Sequence, residues 1–345
     1  MARIHRCWVL IAVLADLSVC VDAFFTRFVQ RSQPWSTLSA YAVSSPQGTA
    51  VELKDRTTGR KVTLIGTAHL SQKSNDQVKC IIETTKPDAI LIELDPARLE
   101  RIGLTEEDLG ANVCAVDNVI PPLLLDDLEA MQNRPWWSGL AEFCLDRVAE
   151  FARGYLTDMY TEMGKGMGKD GLIGGGEFLA AINAVKCNDE YCNTCTKIVL
   201  GDRNSIATIR RAAELAIRSG NPLDTLRRLT TINQEELDEM QEKLRHELEE
   251  KGADPGELGI AIVETLKSDS ALRNRIFERL EQEVPEFTRA FVTERDYIMA
   301  EAIRREIDAR HIVAVVGLAH LPGISATLQA TQFEETSTPI YMPSQ

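Results

Sequence analysis

The stretch KVTLIGTAHL, residues 61–70, decides the fold of this chain, because its apolar run ends in a Gly-x-x-His sequence. The same order returns in HIVAVVGLAHL, residues 311–321. Short runs of this kind are typical of strands buried on both faces of a sheet. A glycine lets the backbone turn sharply where a strand ends, so we expect each histidine to face the crevice beside the next helix. The two stretches therefore place His69 and His320 at matching strand ends.

The residues around the first stretch predict a βαβ unit. Residues 49–66 have the pattern of a hairpin that turns at Thr58-Gly59. Ser71 can cap a helix that runs to about Thr85, and the apolar run 89–94 predicts the next buried strand. Strand, helix and strand in so short a segment predict parallel strands joined by a right-handed crossover.

The remainder of the chain combines helices with two further strands. Helical patterns cover most of residues 105–161, 177–185 and 205–310, and short apolar runs predict strands at 197–201 and 312–316. After residue 327 the chain is polar, and we expect a flexible tail over 328–345. The segments predict one α/β domain over residues 49–327, with a mostly parallel sheet flanked by helices and a large helical insertion.

Composition and cysteine use exclude some classes of protein. The net charge of −14 argues against nucleic-acid binding, which relies on Lys and Arg to neutralise phosphates. The eight cysteines do not have the spacing of a disulfide framework. Only Cys187, Cys192 and Cys195 cluster, and a structural zinc site, a redox-sensitive pair and plain loop cysteines all remain open.

The first 48 residues predict a targeting leader. Arg3 and Arg6 precede a short apolar run, which is typical of a cleaved signal peptide over residues 1–23. Residues 24–48 contain Arg, Ser and Thr but no Asp or Glu, which is transit-peptide composition. This order favours a bipartite leader for a plastid, with secretion and mitochondrial import as alternatives. No later segment approaches the ~20 apolar residues of a membrane helix, so we expect a soluble mature protein without a permanent membrane span.

Charged side chains follow two more predicted strands. Glu93 and Asp95 come after the run 89–94, and Asp202 and Arg203 come after the run 197–201. Because the carboxyl ends of parallel strands share one edge of a sheet, we expect these side chains to converge with the two histidines. A strand-end histidine that only hydrogen-bonds a loop, and a buried Asp-Arg salt bridge, are the structural alternatives.

These residue types predict a metal-dependent site. His69, His320 and Glu93 have the ligand types of an open site for a divalent metal such as Mn, Co or Zn, where a bound water would become a nucleophile. The groups predicted to assist are a carboxylate that takes a proton, Glu177, and two guanidinium groups that stabilise an anion, Arg203 and Arg295. Asp95, Asp202 and Asp296 are predicted to support them.

A helix predicted over residues 234–251 carries an apolar stripe. Leu237, Met240, Leu244 and Leu248 recur at helical spacing. Such a stripe can bind a partner helix, although its commoner meaning is packing on the chain's own core.

Residues 49–327 resemble the TraB family, which includes the pheromone-shutdown proteins of bacteria and the Tiki-type Wnt-inactivating proteases. The resemblance rests on six motifs in order, at Gly66–His69, Pro87–Arg98, Gly175–Phe178, Leu200–Arg203, Glu294–Ala300 and Val316–Gly323. It implies an α/β sandwich related to the erythromycin-esterase group. It also implies a metal-dependent peptidase in which His69, His320 and Glu93 are the essential residues. Leu179 and Asn204 depart from the residues usual in relatives, and the first departure weakens any anion-binding role of that segment.

Three hypotheses of function follow. The first is a metal-dependent hydrolase, with a peptidase as its specific form, that acts on a peptide or a small molecule. The second is a protein that binds a ligand in the same crevice without catalysis. The third is an organelle adaptor that acts through its charged helices.

Overall fold

The computed structural model describes residues 49–67, 72–101, 103–109, 113–116, 119, 121, 176–188, 196–219, 222–232, 234–252, 258–306 and 308–336. These residues belong to two compact units. Residues 205–293 form a helical unit, and the other described residues form the unit that contains the sheet.

Seven strands form one mixed sheet in the order β4-β5-β3-β6-β2-β1-β7. Their bounds are β1 Ala50–Asp55, β2 Lys61–Thr67, β3 Ala89–Ile92, β4 Val113–Ala115, β5 Lys197–Leu200, β6 His311–Gly317 and β7 Phe333–Glu335. Strands β4, β5, β3, β6 and β2 pair in parallel, whereas β1 is antiparallel to both β2 and β7. The prediction of an α/β fold with a mostly parallel sheet flanked by helices is confirmed.

Twelve α-helices, numbered in chain order, and one π-helical turn lie within the described residues. Their bounds are α1 Gln72–Thr85, α2 Pro96–Arg101, α3 Glu106–Leu109, α4 Gly176–Asn188, α5 Ser205–Arg218, α6 Pro222–Thr231, α7 Gln234–Glu250, α8 Leu258–Ser268, α9 Ser270–Glu283, α10 Pro285–Thr288, a π-helical turn Arg289–Thr293, α11 Glu294–Arg305 and α12 Leu321–Gln329. None of the described helices is long and apolar enough to cross a membrane.

The sheet is covered by helices on both faces, which explains why its central strands are almost continuously apolar. Successive side chains of a strand point to opposite faces, so β6 contributes Ala314 to one core and Val315 to the other. The Ala314 face packs on residues of α11 and α12, and the Val315 face packs on residues of α1 and α4. The central strand β6 is therefore fixed on both sides, and its carboxyl end has a defined position.

Two short strands lie where the sequence predicted none. β4 falls inside the segment 105–161, which we expected to be mainly helical. Its three residues are too few to show a strand period, and its pairing with β5 decides its conformation. β7 falls inside the predicted tail and pairs with β1. Its Phe333 side chain is fully buried, and Cζ of the Arg60 guanidinium lies 5.3 Å from the centroid of the Phe333 ring. The end of α12 and the strand β7 therefore lie within the segment predicted as a tail, and residues 337–345 lie outside the described residues.

The helical unit contains the stripe on α7. Leu237 and Met240 are buried, and α7 packs against α8. These two positions therefore have the commoner role of the stripe, packing on the chain's own core. Binding of a partner through the helix stays a prediction.

Several predictions fall outside the described residues. They concern the leader over residues 1–48, the histidine His69, and the cysteines Cys192 and Cys195. The side chain of Cys187 also lies outside what the structure describes.

Candidate functional site

The carboxyl ends of four parallel strands lie at one edge of the sheet, where β3 and β5 end two residues before β2 and β6. In the register of the sheet, Ile92 pairs with both Val315 and Leu200, and Thr67 pairs with Gly317. The residues that follow these strands therefore begin at a common edge, as the sequence predicted. His69 comes two residues after Thr67 in the chain, outside the described residues.

Two of the glycines at these strand ends, Gly66 and Gly201, allow close packing. Gly66 lies within β2, and a Cβ atom there would lie 2.7 Å from Cδ1 of Leu318. A Cβ atom on Gly201 would lie 2.6 Å from Cγ of Leu91. The described glycines with positive φ are elsewhere, at Gly59, Gly103 and Gly252. At Gly317 the predicted turn is present, because the N–H of His320 donates to the Gly317 carbonyl at 2.9 Å. At Gly66 and Gly201 the absence of a side chain is what the packing requires.

Glu93 and Arg295 form the centre of the site. Both side chains are almost wholly inaccessible to solvent. One carboxylate oxygen of Glu93, Oε1, accepts a hydrogen bond from the Arg295 guanidinium. The other, Oε2, accepts one from the backbone N–H of Gly317 at 2.5 Å. Glu93 thus joins the end of β3 to the end of β6 and to α11.

Asp202 is the second acceptor of Arg295. Its two oxygens lie 2.9 and 2.8 Å from the guanidinium nitrogens Nε and Nη2. Burial acts to lower the pKa of Arg295, but the charges of Asp202 and Glu93 outweigh burial and raise that pKa. Burial likewise acts to raise the pKa of Asp202, but Arg295 and then Arg98 outweigh it and hold the pKa below its ordinary value. The pair is therefore fully ionised.

His320 is oriented by Asp296. It is fully buried at the residue before α12, and its Nδ1 lies 2.6 Å from Oδ1 of Asp296. Its other ring nitrogen, Nε2, is buried and has no hydrogen-bond partner among the described residues. That nitrogen lies 3.5 Å from Oε1 of Glu93. Burial raises the pKa of Asp296, and the nearby His320 opposes the rise. A histidine held in this way presents Nε2 toward Glu93.

Two arginines extend the network away from Arg295. Arg98 donates to Oδ2 of Asp202 at 2.8 Å, and Arg203 donates to Glu294 at 2.9 Å. Burial lowers the pKa of Arg203, and Glu294 opposes that change. Sequence analysis gave no site role to Arg98 or Glu294, although each is close in sequence to a predicted residue, Asp95 or Arg295. That proximity was the available signal.

Asp95 fixes the start of α2. Its Oδ1 accepts hydrogen bonds from the backbone N–H groups of Ala97 at 2.9 Å and Arg98 at 3.2 Å. Its Oδ2 is buried and has no hydrogen-bond partner in the described part of the chain. Burial raises the pKa of Asp95, and the charge of Arg98 opposes the rise. Glu177 is fully buried in the first turn of α4, a helix that packs on α1 and on β3 and β6.

The network holds more carboxyl groups than guanidinium groups. Among the described residues it holds five carboxyl groups, of Glu93, Asp95, Asp202, Glu294 and Asp296, and three guanidinium groups, of Arg98, Arg203 and Arg295. Among these residues the carboxyl groups outnumber the guanidinium groups by two. Burial raises the pKa of Asp95 and Asp296, which favours the protonated form of these two carboxyl groups.

Of the three predicted metal ligands, two lie within the described residues, His320 and Glu93, and their spacing suits a metal ion. Among the described residues, no group of three or more His, Cys, Asp or Glu side chains is placed to hold a metal ion. Two ligand atoms that are each about 2.1 Å from a tetrahedral ion lie about 3.4 Å apart. The observed 3.5 Å between Nε2 of His320 and Oε1 of Glu93 agrees with that spacing. The third predicted donor, His69, lies outside the described residues.

A cavity of about 520 Å³ adjoins the network. Its lining residues are Asp95, Pro96, Ala97, Glu100, Ala115, Val116, Val119, Asp202, Arg203, Asn204 and Ile298. Cavities of this size hold small molecules or a few residues of a peptide. Asp202 lines the cavity and also forms the ion pair with Arg295. Asp202 therefore lies between the cavity and Arg295, the residue that binds Glu93.

Sequence similarity to known proteins extends over all the residues of this site. A sequence model of the TraB/PrgY/gumN family matches residues 51–334. A TraB domain-containing protein of Mus musculus is 25% identical over 283 residues, a match that takes in 77% of this chain and 62% of the mouse protein. The chain therefore spans less than two thirds of that relative. The family match runs from β1 into β7 and includes every side chain described above.

Proposed function

The chain belongs to the TraB/PrgY/gumN family, and we propose that it is a metal-dependent hydrolase of the peptidase type. In this proposal His69, His320 and Glu93 bind a divalent metal, Mn, Co or Zn. Its substrate is a peptide, with a small molecule as the alternative class.

One observation carries the proposal: the environment of His320 Nε2. A buried polar atom without a partner costs about 1–3 kcal/mol, so its burial favours a ligand that occupies the site. The nearest acidic atom, Oε1 of Glu93, lies at the distance expected for two ligands of one metal.

The surrounding side chains can hold these ligands in place. Asp296 accepts a hydrogen bond from Nδ1 of His320, and this leaves the lone pair on Nε2. Arg295 and the Gly317 N–H fix the two oxygens of Glu93. A metal bound there would supply a Lewis acid and lower the pKa of a bound water toward ~7.

Two predicted residues keep their roles as candidates. Glu177 is our candidate for the carboxylate that takes a proton from the attacking water. Arg203 lines the cavity and is our candidate for stabilising an anion on the substrate. Arg295 is already bound to two buried carboxylates, so its geometry favours the role of their counter-ion.

A non-catalytic binding protein is the second candidate. The observation that favours it is the ion pair of Glu93 with Arg295, because a carboxylate that already has a counter-ion needs no metal. In that case the cavity beside Asp202 would bind a ligand, and the buried network would serve only to fix the sheet edge.

Metal analysis distinguishes the two candidates. The purified protein is supplied with Mn, Co or Zn, passed over a desalting column and analysed for bound metal, together with a His69→Ala/His320→Ala double variant. A His311→Ala variant is the matched control, because His311 is the histidine at the opposite end of β6, where it contacts Thr63 at 2.9 Å. We expect about one equivalent of metal in the wild type and the control, and a loss in the double variant.

Equally little metal in the wild type and the double variant would contradict the proposal. Metal that is retained without turnover of a peptide library would favour the binding protein.

A further inference from the structure

The cavity beside Asp202 has a charge pattern that the hydrolase proposal does not use. Its charged lining residues are three acids, Asp95, Glu100 and Asp202, and one base, Arg203. Asp202 is satisfied by Arg98 and Arg295, and Arg203 is paired with Glu294. The acids that remain to act on a ligand are Asp95 and Glu100.

Asp95 is held in place with one oxygen unused. Its side chain is 1% exposed, and its Oδ1 is fixed by the N–H groups of Ala97 and Arg98. Its Oδ2 has no hydrogen-bond partner among the described residues, although the residue lines the cavity. A buried carboxylate oxygen of this kind binds a donor, and a cationic donor most strongly.

Glu100 adds a second negative charge nearer to solvent. It lies on α2 at an exposed position, one turn beyond the residues that Asp95 caps. No ion pair of Glu100 occurs within the described ranges. Apart from Asn204, the other described lining residues are apolar, namely Pro96, the alanines and valines, and Ile298. Such walls fit an aliphatic stem that ends in a positive charge.

We propose that this cavity is a substrate subsite that recognises a basic side chain, Lys or Arg, of a peptide. The inference rests on the proposed function, because it names the substrate class of the same site. The aliphatic part of the side chain lies between Ala97 and Ile298, and its charged end binds Asp95 and Glu100. The cavity adjoins Asp202, whose partner Arg295 binds Glu93, so two side chains connect the subsite to a proposed metal ligand.

Binding of matched peptides tests the inference without any need for turnover. Two fluorescent pools of short random peptides are made identical except at one central position, which is Lys in one pool and its uncharged analogue norleucine in the other. Fluorescence anisotropy is measured with the EDTA-treated wild type and with an Asp95→Asn/Glu100→Gln variant. Asparagine keeps the Oδ1 that caps α2. Glu106→Gln, at an exposed position outside the cavity lining, is the matched control.

We expect the wild type and the control to bind the Lys pool about tenfold or more tightly than the norleucine pool, since one hydrogen bond between charged groups is worth about that factor. The ratio should fall to near one in the double variant. If that variant does not fold by circular dichroism, Glu100→Gln alone should reduce the ratio part of the way.

Equal binding of the two pools by the wild type, binding of neither, or a ratio that survives in the folded variants would overturn the inference. A Lys preference in a protein that retains no metal would contradict the proposed hydrolase and leave the subsite standing.

Discussion

Arg295 connects the parts of the buried site. Its guanidinium binds Glu93 at the end of β3 and Asp202 at the end of β5, while its backbone lies in α11. A guanidinium has donors in a fixed fork, so one side chain can hold two carboxylates at set positions. The price of this arrangement is that neither carboxylate tolerates the loss of its counter-ion, because both are excluded from water.

Replacing Arg295 by Met is expected to destabilise the protein by about 3–5 kcal/mol, because two buried carboxylates lose their counter-ion. The measurement is the free energy of unfolding in urea. Arg305→Met is the control on the same helix, since the Arg305 side chain is 50% exposed and its pair with Glu301 is at the surface. The control should change the free energy by less than about 1 kcal/mol. Equal losses in the two variants would show that Arg295 is not essential to the network.

The helices α11 and α12 approach each other closely where they present Asp296 and His320. A Cβ atom on Gly323, in the first turn of α12, would lie 2.6 Å from Cγ of Asp296. No L side chain fits at that position without displacing the carboxylate. The contact between the two helices therefore sets the hydrogen bond that orients His320.

Gly323→Ala should displace Asp296 and loosen its hold on His320. Because such supporting hydrogen bonds tune metal ligands, we expect metal affinity to fall about 10–100-fold. The affinity is measured by competition with a chelator. Gly176→Ala is the matched control in the first turn of α4, where the nearest atom is the movable amide of Asn75 at 3.0 Å. An affinity unchanged by Gly323→Ala would mean that Asp296 does not position the histidine.

On the scale of the whole molecule, the sequence predicted what depends on chain direction and missed what depends on packing. His320 and Glu93 could be assigned to one edge because parallel strands end together. The ion pair of Arg295 with Asp202 could not, since it depends on where α11 packs, and no periodicity encodes that position. β4 and β7 were missed for a related reason, because their neighbours and not their own residues make them strands.

Asp55, the last residue of β1, connects that strand to the residue before β7. Its Oδ1 accepts hydrogen bonds from the N–H groups of Thr57 at 2.8 Å and Thr58 at 3.0 Å, and its Oδ2 accepts one from Gln332 at 2.8 Å. Burial acts to raise the pKa of Asp55, but the hydrogen bonds from Thr58 and Thr57 outweigh it and lower the pKa. A lowered pKa stabilises the folded state above the unfolded value of about 3.9, and this contribution is lost as the pH falls through the folded value.

Asp55→Asn should therefore lower the free energy of unfolding by about 1–2 kcal/mol at pH 6. The difference from wild type should shrink as the pH falls below about 3.9, since the wild type then loses the same charge. Unfolding in urea at several pH values measures both effects. Asp308→Asn, at an exposed position, is the control and should show no such pH dependence. A deficit that stays constant down to low pH would refute the role of the Asp55 charge.

The pairing of β2 with β6 has a consequence for synthesis on the ribosome. β2 ends at Thr67, but the strand beside it begins only at His311. During translation the early hairpin therefore has an exposed apolar edge until β6 has been synthesised. Contacts so distant in sequence form slowly, because the intervening loop must close first. We expect the nascent protein to depend on chaperones that shield extended segments, and its sheet to assemble only after β6 has left the exit tunnel.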